Sequence, residues 1–144
     1  MSAAAARNVT RPVFVDTDVF LRFLLRDSEA PYRRARELFE RAEAGTVKLE
    51  TTVLAFAALA EALEVYGLGR AETKDVLKAI LGTRNLRVQD RELVGEAVEL
   101  IGREFNFRDA YAAAHMKHKG ITKVATFRRT RGGAVGEPYW KDAG

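Results

Sequence analysis

The chain has 144 residues, no cysteine and a net charge of +4, so it is long enough for one domain with one core and holds no disulfide or thiolate metal site. Its only histidines, His115 and His118, are too few for a His-rich zinc site. No apolar run reaches the roughly 20 residues of a bilayer span. Met1–Arg7 is also too short and too weakly apolar for a secretory signal, so we expect a cytoplasmic protein that avoids the membrane.

Residues 1–11 read as a flexible leader and 12–144 as a single domain. Val13-Phe14-Val15 is a continuous apolar run that suits a strand buried on both faces. It ends at Asp16-Thr17-Asp18, residue types that start helices, and Val19–Leu25 continues as a helix. Pro31 opens a second helix over Tyr32–Ala44, with Ala35, Leu38, Phe39 and Ala42 on one face and Gly45 as its stop. Thr46–Thr51 alternates like a strand, and Val53–Tyr66 is an alanine-rich helix whose small side chains let another element come close.

Arg70–Leu81 is amphipathic and ends at Gly82, and Leu86–Val88 is a short strand. Asp90–Glu104 reads as a helix with Leu93, Ala97, Leu100 and Ile101 inward. Phe107–Lys119 is the last helix, Val124–Phe127 a strand, and Pro138–Trp140 a candidate edge strand. Strands alternating with helices predict an α/β fold, a three-layer α/β/α domain around a central, mostly parallel sheet. In such sheets ligands bind beyond the carboxyl ends of the strands.

Three stretches meet at that end. Asp16 and Asp18 follow the first strand, Asp109 opens the last helix, and the final strand brings Thr126-Phe127 to the same edge. Clustered carboxylates suit Mg²⁺ or Mn²⁺, which take oxygen ligands and need only one or two carboxylates. Such an ion activates water and neutralises charge on a phosphodiester. An aspartate between strand and helix is also an ordinary N-cap, and either aspartate taken alone reads that way.

Phe14-Val15-Asp16-Thr17-Asp18-Val19-Phe20-Leu21-Arg22 resembles the opening of PIN domains, which usually read Asp-Thr-Asn there. Gly45–Leu68, Phe107-Arg108-Asp109-Ala110 and Val124-Ala125-Thr126-Phe127 resemble them too, so the likeness runs from about Val13 to Phe127. It is closest to the VapC-type toxins of toxin–antitoxin pairs. The resemblance implies an endoribonuclease using Mg²⁺ or Mn²⁺, acting on RNA as the toxin of a type II pair, often a homodimer and inhibited by a small antitoxin. Asp16 matches the family's first acidic ligand and Asp109 its third, with Asp18 or Glu61 as candidate further metal ligands.

Three family positions depart from the pattern. Ala58 falls where the family places a glutamate in the third helix; a rival alignment puts Glu61 there, ~5 Å further along the axis. The usual Thr-Phe-Asp after the last strand reads Thr126-Phe127-Arg128, and Asn106 stands where many relatives carry aspartate. An arginine facing the site would repel a metal, or would occupy its electrostatic place by pairing with Asp16 or Asp109. The alternative reading is therefore a degenerate, catalytically silent PIN-like domain that acts as a protein- or RNA-binding module. Arg22, Lys117 and Arg129 are the candidate RNA contacts, and Tyr32, Tyr111 and Trp140 the candidate base-stacking rings.

Overall fold

The computed structural model describes residues 11–128 and 136–140, so the expected leader, apart from Arg11, and Arg129 lie outside the described residues. The elements run β1 (Val13–Phe14), α1 (Thr17–Leu25), α2 (Glu29–Glu43), β2 (Leu49–Thr51), α3 (Val53–Val65), α4 (Arg70–Leu81), β3 (Leu86–Val88), α5 (Arg91–Leu100), α6 (Phe107–Lys119), β4 (Lys123–Val124) and β5 (Glu137–Pro138). The central sheet is parallel in the order β1-β2-β3, with Val13 opposite Leu49 and Leu49 opposite Leu86. Within this sheet two helices join each strand to the next, which supplies the crossover that parallel pairing requires. The expected α/β architecture of helices around a parallel sheet is therefore present.

Side-chain oxygens and left-handed residues set the helix ends. Asp16 Oδ1 accepts from the Thr17 amide at 2.8 Å, Thr52 Oγ1 from the Ala55 amide at 3.2 Å, and Asn106 Oδ1 from the Asp109 amide at 2.9 Å. At the carboxyl end of α6, Gly120 takes a φ of +68°, a conformation that a Cβ would penalise.

The core joins Phe20, Phe39, Leu49, Phe56, Leu59, Leu63, Leu77 and Val94 with the small residues Ala35, Ala42, Ala97 and Ala110. The alanine-rich α3 does admit a neighbour: Thr17 Oγ1 donates to the Ala55 carbonyl at 3.1 Å, which ties α1 to the first turn of α3. Buried Thr51 donates to the Val15 carbonyl at 2.9 Å and so locks the chain just before Asp16 onto β2.

Three expectations need correction. β1 is not buried on both faces: Val13 and Phe14 are 43% and 55% exposed, because among the described residues β1 is an edge strand, and Val15 just beyond it carries the burial. The inward face of α5 is Val94, Ala97, Val98 and Ile101; Leu100 is exposed, and the helix stops there because Ile101 turns extended and Gly102 enters a turn closed by the Phe105 carbonyl. The last strand is only Lys123–Val124, and among the described residues it pairs with β5 rather than with the central sheet. Gly136 permits that pairing, since a Cβ there would lie 2.8 Å from both the Met116 Cε and the Thr122 carbonyl oxygen.

Candidate acidic site

The amino ends of α1, α3 and α6 converge. Thr17 is bonded to the first turn of α3, and Phe56 in that turn packs on Phe107 in the first turn of α6, with ring centroids 5.4 Å apart. Asp16 and Asp109 thus flank the start of α3, each at a helix amino end, where partial positive charge favours a carboxylate.

Between α3 and α6 lies a cleft of about 720 Å³, lined among others by Glu61, Glu64, Thr73, Asn106, Asp109 and Arg128. Each of its three carboxylates has a guanidinium partner. Arg128 Nη2 donates to Asp109 Oδ1 at 3.1 Å, Arg108 Nη2 to Glu61 Oε2 at 3.3 Å, and Arg70 Nε to Glu64. The Arg128 amide is itself held by Thr126 Oγ1 at 3.1 Å, which fixes where the guanidinium starts. Arg70 also donates to the Gly102 carbonyl at 2.8 Å, bracing the loop before α6.

The other sequence candidates do not line this cleft. Asp16 is exposed and caps α1, and it does not line the cleft. Asp18 faces a separate groove with Arg22, Arg34 and Leu38. Arg22 is engaged with Asp27 at 2.7 Å, a bond that raises its pKa further above the ordinary arginine value. Ala58 lies on the exposed face of α3 and offers no donor atom, and Lys117 is exposed near the end of α6. Tyr32 is covered by Phe23 and Arg26, and Tyr111 is half-buried against Phe107. Burial, and secondarily the Asp90 charge, push the Tyr111 hydroxyl up. The folded chain therefore keeps the phenol proton longer, and stability declines once the pH passes the unfolded value near ~10. His118 is taken up by Glu96 at 2.7 Å.

Sequence reasoning did not single out Glu64, Arg70, Thr73 or Arg108. Glu61 and Glu64 are three apart on one helix, which was a signal; the arginines come from distant elements and gave none. Thr73 is 2% exposed and its Oγ1 has no hydrogen-bond partner among the described residues. Thr73→Val keeps the shape and removes the orphan hydroxyl, so we expect stability to stay level or rise by up to ~1 kcal/mol. A urea midpoint lowered by more than that would mean the hydroxyl has a partner.

A family model described as PIN domain matches residues 13–128. The chain belongs to the PIN domain family. Comparison with curated proteins and with solved structures gave no match. PIN domains are a nuclease-type fold, generally bind RNA and generally use divalent metals. The donors of this PIN domain fit such an ion poorly. Among the described residues no three His, Asp or Glu side chains group closely enough to hold a metal, and Asp109 already faces Arg128. Among the same residues no helix is long and apolar enough to cross a membrane.

Proposed function

We propose that this PIN domain engages RNA with Arg128, rather than a divalent ion, as the cation at Asp109, and that metal-dependent RNA hydrolysis is weak or lost. One observation carries the reading: the three carboxylates of the α3–α6 cleft are each neutralised by an arginine. A metal entering there would have to displace a guanidinium that is already hydrogen-bonded. The Arg128 side chain is 70% exposed, so its remaining N–H donors are open to a phosphate, the anion whose geometry a guanidinium matches.

Cleavage of a mixed-sequence RNA in Mn²⁺ tests this. The wild type and Asp109→Asn are expected to be equally inactive, and the pair Ala58→Glu with Arg128→Asp to gain cleavage. Wild-type cleavage that disappears in Asp109→Asn or Asp16→Asn would overturn the proposal in favour of a working metal site held by those two residues.

A second reading, a metal-dependent toxin ribonuclease held by a small antitoxin, is favoured by another feature. A largely apolar groove of about 700 Å³ runs between α1, α2 and α4, with Phe20, Phe23, Leu24, Phe39, Val76 and Ile80 in its wall. An amphipathic helix of a partner would cover it. A homodimer belongs to the same reading, and sedimentation of the chain alone measures it.

A further inference from the structure

Beside the acidic cleft, three aromatic rings stand in solvent. Phe127 is 88% exposed, Tyr139 61% and Trp140 42%. Buried aromatics are ordinary; a cluster of exposed rings is not. Phe127 and Trp140 stack with centroids 5.0 Å apart and planes 9° from parallel, and Tyr139 meets Trp140 edge-on at 5.7 Å. At that exposure the face of Phe127 turned away from Trp140 is open to water.

The backbone holds this cluster in place. Tyr139 donates its amide to the Val124 carbonyl at 2.8 Å and Glu137 donates to Thr122 at 2.9 Å, while Gly136 lets β5 seat against Met116. Phe127 is followed directly by Arg128, whose guanidinium rests on Asp109. Phe127 is therefore one residue from the cation of the cleft, with Trp140 stacked on it. Exposed Lys117 and Lys119 at the end of α6, and Lys123 on β4, add positive charge to the same stretch of chain.

We infer that Phe127 and Trp140 form a stacking platform for a base of single-stranded RNA whose phosphate lies at Arg128. The inference rests on the reading that this domain binds RNA, and it names the form of RNA and the place of one base. A flat ring face next to a guanidinium is how single strands are held without sequence preference, by stacking plus backbone charge. A duplex keeps its bases inside and has no face to offer. A second copy of the chain is the poorer occupant. At these exposures the three rings present roughly 400 Å², judged from the 150–250 Å² that such side chains can bury. A stable interface needs about 800 Å² from each partner.

Trp140 is the only tryptophan in the chain, so its emission reports on the platform directly. The full chain is titrated with a single-stranded oligoribonucleotide about ten nucleotides long, and binding is read in parallel from the anisotropy of an end-labelled copy. Quenching of Trp140 is expected to track the anisotropy. Phe127→Ala and Phe127→Leu should each weaken binding at least about fivefold, the second because it keeps apolar bulk but loses the ring face. An abasic strand of the same length should bind wild type and Phe127→Ala alike and leave Trp140 unquenched. Phe127 is too exposed for either change to open a cavity.

RNA binding with unchanged Trp140 emission and equal affinity in the variants would overturn the platform and leave the RNA reading standing. No RNA binding by any readout would overturn both. Emission that shifts with protein concentration in the absence of RNA, together with a doubled sedimenting mass, would assign the rings to a contact between copies and overturn the platform.

Discussion

Arg128→Asp is expected to raise the affinity of the chain for Mn²⁺ about 100-fold, from charge alone. At ~6 Å, one unit charge acting on a divalent ion is worth about 1.4 kcal/mol in bulk water and about 5.5 kcal/mol at an effective dielectric of 20. Arg128 is mostly solvated, with its side chain 70% exposed, so the lower figure applies. Removing a positive charge and adding a negative one doubles it to ~2.8 kcal/mol, hence the factor of 100. Arg128→Gln removes only the cation and should give about a tenfold gain. Calorimetric titration with Mn²⁺ at low ionic strength reads both, since salt screens exposed charges. If the affinity does not move in either variant, Arg128 does not oppose a cation at Asp109, and the proposed role of that arginine is wrong. Asp109→Asn separates the alternatives, because it should abolish whatever binding Arg128→Asp gains.

Phe56→Ala is expected to be the most damaging single truncation near the site, costing ~3–5 kcal/mol. Phe56 is 1% exposed, sits in the first turn of α3 and packs on Phe107 in the first turn of α6. A domain of this size has only ~5–15 kcal/mol of total stability, so the variant should be largely destabilised in a urea titration. Asp109 follows Phe107 by two residues, so the loss should also loosen the Asp109–Arg128 pair. Phe127→Ala is the control within the same residue type. It removes an 88% exposed ring and should change stability by no more than ~0.5 kcal/mol. A cost for Phe56→Ala below ~2 kcal/mol would mean that the core collapses into the vacated space.

Much of the scaffold was legible in the residues. Arg70–Leu81, Leu86–Val88 and Phe107–Lys119 form with the predicted bounds. Their signals are local: a glycine just past the helix ends and apolar residues at helical or strand spacing. The strand–acidic turn–helix reading at Asp16 also holds, with the aspartate serving as the cap of α1. Membership of the PIN family followed from the order of weak motifs along the chain, none of which is specific alone.

Which side chains meet was not legible. Asp16, Asp18 and Asp109 are all acidic residues near helix starts, and sequence spacing treats them alike. The fold gives them different surroundings: Asp109 lines the cleft, Asp18 lines another groove, and Asp16 caps α1. The loss of the carboxylate at Arg128 could be read as a substitution, but its pairing with Asp109 depends on where a strand of two residues ends relative to α6. The partners of Glu61 and Glu64 likewise arrive from α6 and α4. The sequence by itself determined the elements, their ends and the family, because helix periodicity, caps and turns act over a few residues. Only the tertiary structure decided that the cleft is charge-balanced and that Phe127 stays in water, because electrostatic pairing and burial depend on groups far apart along the chain.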